Sequence, residues 1–240
     1  MTALPCPTVP APLRIAAAAW GLAWVVGGLV LGGVVLAAMG VDLQGDATLT
    51  VPQLAASTVV AWATFAVALF VVSNRYGTGD PLVDYRVSFR PIDLLAVPAG
   101  VATQLVLIPA LYWPLQQVWP DTFSTDRLEE RARELTDSAT GGMVVLLVVI
   151  VVIGAPLFEE LVYRGLLQRS IVGSIGRWPG LVAAAAWFSA IHLAPVEFPG
   201  LFAAGMVFGV ALVLTDRLGP AMLAHLAFNA TGLAMAFGTS

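Results

Sequence analysis

The chain has 240 residues, of which 59% are hydrophobic and 11% charged, with a formal net charge of −4. Soluble domains carry roughly 25% charged residues, so a chain this poor in charge, with apolar runs of about 20 residues, reads as a polytopic helical membrane protein. That excludes a domain-sized soluble segment and leaves nucleic-acid binding without support. The single cysteine, Cys6, excludes a disulfide framework and a cysteine zinc cluster.

Seven apolar segments follow in chain order: 15–39, 55–73, 94–113, 143–172, 179–194, 199–215 and 219–237. The first is too long for a signal-peptide core of ~7–15 residues and reads as a retained span. Its Gly28 and Gly32 form a small-xxx-small pair suited to close helix approach, as do Gly205 and Gly209 in the sixth. Between the third and fourth segments a polar helix is expected over 125–138. It carries Asp126, Glu129, Glu130, Glu134 and Asp137 against Arg127, Arg131 and Arg133. All the basic residues are arginines. With the N-terminus inside, Arg14, Arg75, Arg86, Arg90, Arg164, Arg169, Arg177 and Arg217 fall on or near the cytoplasmic side, and the positive-inside rule selects that orientation. The expected organisation is an all-α bundle of about seven spans. A three-span region occupies 1–142, and a four-helix core occupies 143–240.

The first three segments have no ionisable residue in their interiors. The fourth holds Glu159, Glu160 and Arg164 in GAPLFEELVYRGLLQ. Ionisable groups at membrane depth cost ~2.5–3.5 kcal/mol each on insertion scales and are usually functional. Glu160 and Arg164 stand at i, i+4 and can pair. Glu159 points about 100° away, with Val162 and Tyr163 as its i+3 and i+4 neighbours, and must find a partner on another helix. Pro156 cannot donate to the carbonyl of Val152, so an opened turn is expected there. A freed carbonyl in lipid needs a polar partner or water.

The only two histidines lie in later apolar segments. His192 follows Phe188 at i+4, and His225 precedes Asn229 at the same spacing. A Glu and a His can together take a proton from water. A second His and an Asn amide can donate to a developing oxyanion, at ~2.7–4 kcal/mol per donor. Two His and one Glu would equally suffice for an open zinc site.

Glu159-Glu160-Leu-Val-Tyr-Arg164 resembles the EExxxR motif of the type II CAAX prenyl endopeptidase family, the CPBP or ABI intramembrane proteases. Phe188-Ser-Ala-Ile-His192 resembles its FxxxH motif, Phe202 to Gly209 its small-residue motif, and His225-Leu-Ala-Phe-Asn229 its HxxxN motif. Order and spacing agree over about 143–237. The resemblance implies a membrane peptidase that cleaves a membrane-associated peptide or protein. Glu159 and His192 would activate water, and His225 and Asn229 would stabilise the oxyanion. Glu160, Arg164 and Phe188 would support the site. It leaves open whether a divalent metal takes part; zinc, if present, would sit on Glu159, His192 and His225. The compact, lysine-free chain resembles bacterial members, which implies a multi-pass plasma-membrane protein with a peptide partner, its substrate and oligomeric state open. Two other readings stand beside it: a catalytically idle scaffold of the same fold binding a membrane partner, and a small proton-coupled carrier.

Glu159 lies about 16 residues from the outer end of its segment, whereas His192 lies near the outer end of its own. They meet only if the fourth helix continues past Arg164. The fifth must also be short or tilted, with Ala194 to Pro199 dipping inward.

Overall fold

The computed structural model describes residues 11–43 and 48–239; Cys6 lies outside the described residues. Helix is the only regular structure among them. Eight helices carry the architecture: α1 (Leu13–Ala38), α2 (Val51–Tyr76), α3 (Pro91–Val118), α4 (Thr125–Asp137), α5 (Gly142–Ile175), α6 (Arg177–Ile191), α7 (Phe198–Thr215) and α8 (Leu218–Thr239). Six of them, all but α4 and α6, are long and apolar enough to cross a bilayer.

The expected span at 179–194 is corrected by this count. It forms the 15-residue α6, about 22 Å long at ~1.5 Å per residue, well short of a ~30 Å hydrocarbon core. The cause is local. Gly176 ends α5 at φ +92, a conformation open to glycine, and Gly180 brings α6 against the Val172 backbone, where a Cβ would stand 2.7 Å from Val172 Cα. At the other end, His192 and Leu193 leave the helix, Leu193 at φ +53, and Pro199 opens α7. The short α6 and α7 thus form a hairpin that returns to the end of the bundle it started from. α5, by contrast, runs unbroken for 34 residues.

Wide π turns recur inside the long helices, at Trp24–Leu31, Thr103–Leu107, Val149–Gly154 and Glu160–Gln168. They change which residues face inward. In α1 the close-packing glycines are Gly27 and Gly32, both buried, and Gly28 is exposed. This replaces the expected Gly28–Gly32 pair, because an i→i+5 turn stacks residues five apart. A Cβ on Gly27 would sit 1.8 Å from Thr64 Oγ1 of α2, so α1 and α2 touch backbone to side chain there. Gly154 of α5 is likewise pressed against Trp62, whose ring stacks on Phe158 at 4.8 Å.

One end of the bundle gathers the interhelical loops rich in arginine. Arg86 faces Asp216 at 3.5 Å, and the Arg217 guanidinium pairs with Asp93. Arg169 donates to the Asp84 carbonyl, the Leu218 N–H donates to the Arg86 carbonyl, and Ser170 Oγ donates to the carbonyl of Ala11. The described N-terminal residue therefore sits at this end. α8 starts here and runs to the opposite end, where it packs on the charged α4.

Candidate active site

The site is built on α5, α6, α7 and α8, and its centre is a buried ion pair. Glu160 and Arg164, 0% and 2% exposed, meet at 2.9 Å between Oε1 and Nη1. Their segment of α5 is π-wound and buries every residue from Glu160 to Gln168 except Leu161. Burying two charges is costly unless their remaining bonding capacity is met nearby, and here it is met only in part, since Glu160 Oε2 and Arg164 Nη1 make no hydrogen bond. Arg164 reaches the Gly205 carbonyl of α7 at 3.4 Å, and its guanidinium lies 4.3 Å over the Phe188 ring and 5.4 Å from that of Phe208. Such cation–π contacts gain strength where water is excluded. One turn on, Gln168 donates to the Gly209 carbonyl at 3.0 Å. Residues 164 and 168 thus read against 205 and 209 in matching i, i+4 steps. Gly205 and Gly209 permit this approach: a Cβ at 209 would stand 2.7 Å from the Gln168 side-chain oxygen.

His225 of α8 joins the second half. Its Nδ1 lies 2.8 Å from Glu160 Oε1, and its Nε2 lies 3.8 Å from Glu159 Oε2. The imidazole, 5% exposed, stacks on Phe208 at 4.5 Å, which fixes its plane. The carboxylate of Glu160 pairs ionically with Arg164 and accepts from His225, which makes Nδ1 the donor and turns Nε2 toward Glu159. Glu159 is different in kind. Its side chain is 26% exposed, so this carboxylate faces open space while its neighbour is sealed. Sequence spacing assigned Arg164 to Glu160; that a histidine from another helix also binds Glu160 is not visible in helical periodicity.

Phe188 stands between the two imidazoles, edge-on to His192 at 4.8 Å and to His225 at 6.1 Å. His192, half-buried at the end of α6, turns Nδ1 to the Phe188 carbonyl at 2.7 Å, which leaves its Nε2 free of that contact. Asn229 donates its amide to the Val151 carbonyl of α5 at 2.8 Å. Here the expectation for Pro156 is corrected by one residue. Ala155 N–H donates to Ile150 in the π register, so the next donor in the series is the one owed to Val151, and proline has none. The orphaned carbonyl is Val151, not Val152, and Asn229 takes its place as donor.

Among the described residues no three His, Cys, Asp or Glu side chains gather closely enough to hold a metal ion. The set Glu159, His192 and His225 expected for zinc is therefore not assembled. Both nitrogens of His225 face carboxylates, and His192 spends Nδ1 on its own helix. Three polar residues escaped the sequence reading. Gln168 could have been found from its i+4 spacing to Arg164, matching that of Gly205 and Gly209. Ser189, whose Oγ donates to the Phe198 carbonyl at 2.6 Å, and Tyr112 of α3 carry no local signal.

Residues 141–231 match the sequence profile of the family described as Type II CAAX prenyl endopeptidase Rce1-like. No curated protein matches the chain, and no solved structure does. Over this segment the chain is similar to the type II CAAX endopeptidase family and its intramembrane CAAX-type protease fold, and its six long apolar helices mark a multi-pass membrane protein.

Proposed function

We propose that the chain is an intramembrane endopeptidase that hydrolyses a peptide bond of a membrane-associated peptide or protein with water activated by Glu159. The observation that carries this reading is the position of His225, between a sealed, arginine-paired Glu160 and a reachable Glu159. A purely structural histidine needs one such partner. Here the buried carboxylate orients the ring so that Nε2 is presented at the reachable one. In this reading Glu159 takes the proton from water, with His192 lending its free Nε2 to the same water. Doubly protonated, His225 donates from Nε2 to the oxyanion alongside the second amide hydrogen of Asn229, and the proton taken from water returns through Glu159 to the leaving amine. Glu160, Arg164 and Phe188 hold these groups in place. No step requires a metal, and chelation is expected to leave turnover intact.

The test is comparative peptidomics of a strain carrying the wild-type chain and one carrying Glu159→Ala, followed by cleavage of the identified peptide in liposomes. Peptides that depend on Glu159 support the enzyme. Identical peptidomes with an unchanged cellular phenotype would favour an idle scaffold of the same fold.

The gathering of arginines at one end of the bundle supports placing that end, and the N-terminus, on the cytoplasmic face of a bacterial plasma membrane. The lone thiol of Cys6 offers a direct check. A membrane-impermeant maleimide is expected to label it only after the membrane is opened; labelling of intact cells would reverse the orientation.

A further inference from the structure

The loop that follows His192 is held from outside the family-matched segment, by one hydroxyl. Tyr112, near the end of α3, is buried. Its Oη donates to the Val196 carbonyl at 2.8 Å and accepts from the Gly200 N–H at 3.1 Å. Val196 lies in the reversal between α6 and α7, and Gly200 is in the first turn of α7. The same hydroxyl therefore ties the loop that follows His192 to the first turn of α7. Residue 200 has to be small for this: a Cβ would stand 3.0 Å from Tyr112 Cε2 and 3.1 Å from the hydroxyl. Ser189 Oγ bonds the Phe198 carbonyl across the same reversal. The backbone it closes is not relaxed, since Leu193, directly after His192, sits at φ +53 and is exposed. A six-residue connection with a left-handed leucine has little of its own to hold it, and its backbone groups within a membrane-spanning bundle need partners.

We propose that Tyr112 is a positioning residue for the reaction: its hydroxyl clamps the 193–200 turn and so sets the depth and direction of His192. This rests on the peptidase reading above for its effect on rate, but not for its effect on the loop. It also assigns a role to the N-terminal region, which α3 brings into the catalytic core.

Tyr112→Phe removes the hydroxyl and keeps the ring. The enzyme in liposomes is expected to lose on the order of tenfold in kcat, as the loss of one or two hydrogen bonds permits, with KM close to wild type and a modest fall in melting temperature. Hydrogen exchange should rise selectively over 193–200. In a His192→Ala background the same substitution should cost nothing further, because the group it positions is gone. A wild-type exchange rate over 193–200 in Tyr112→Phe would overturn the clamp. So would a tenfold loss that persists undiminished without His192. If the wild-type chain cleaves nothing, the peptidase reading fails while the exchange measurement still decides the clamp.

Discussion

Glu159 and Glu160 are adjacent in sequence and opposite in circumstance. Glu160 is enclosed, paired with Arg164 and bonded to His225; Glu159 faces the open side of the same imidazole. Substituting glutamine separates their roles, because it keeps the size and an acceptor but cannot take a proton from water. Glu159→Gln is expected to bind the substrate with wild-type affinity and to show no turnover; turnover at the wild-type rate would remove Glu159 as the base. On the mechanism proposed above, Asn229→Ala should instead retain slow turnover, lowered roughly 10²–10³-fold, because it would remove one donor to the oxyanion and leave the proposed base in place. Equal, complete loss in both variants would mean that they do not hold separate roles. The i, i+4 pairing of Glu160 with Arg164 could be read from the sequence because it is local. The bond from His225 to Glu160 could not, because it depends on how α8 is rotated against α5.

At the scale of the helix, π winding decides the register. Hydropathy places the long apolar segments, and all of the long helices lie where it places them. It does not distinguish an i→i+4 turn from an i→i+5 turn, since both bury apolar side chains. Hence Gly27 replaces Gly28 at the α1–α2 contact, and Val151 replaces Val152 as the carbonyl left by Pro156. The short α6 was legible only as a geometric condition, from the unequal depths of Glu159 and His192. Two measurements follow. Glu160→Ala and Arg164→Ala each strand a buried charge, at a cost of ~3–5 kcal/mol, and should lower the level and melting temperature of the protein far more than Glu159→Ala. Wild-type melting in each would dissolve the pairing. Separately, Asn229→Ala should destabilise by ~1–3 kcal/mol by leaving Val151 without a donor. Pro156→Ala restores a backbone N–H to that carbonyl, so in its background the Asn229→Ala penalty should vanish. An additive penalty would show that Asn229 is held by something else.

Across the whole molecule, the site depends on an end of the bundle where three interhelical connections meet the start of the described chain. Asp84 is the organiser of that end. Burial pushes its carboxyl upward, but hydrogen bonds from Ser73, from the Thr78 N–H and hydroxyl and from the Gly79 N–H outweigh it and hold the group below its ordinary value of 3.8. Gly77 makes room for it, since a Cβ there would lie 2.2 Å from the carboxylate. The same residue's backbone carbonyl accepts from Arg169, five residues beyond Arg164 on α5, and Tyr85 beside it bonds the Leu69 carbonyl of α2 at 2.7 Å. Loosening Asp84 therefore releases the junction of α2 with the C-terminal end of α5. Because the folded value is the lower one, the stabilisation is fully present above the ordinary carboxylate value and is lost as pH falls through the depressed one. Hydrogen exchange over 73–86, measured in detergent, should be flat from pH 7 down to about 4 once corrected for intrinsic rates. Protection should then fall as pH is lowered further. Asp84→Asn keeps the shape but loses the charge; it should begin with weaker protection at pH 7 and show no such acid step. An acid step of wild-type size in Asp84→Asn would remove Asp84 from the pH response and leave it a hydrogen-bond acceptor only.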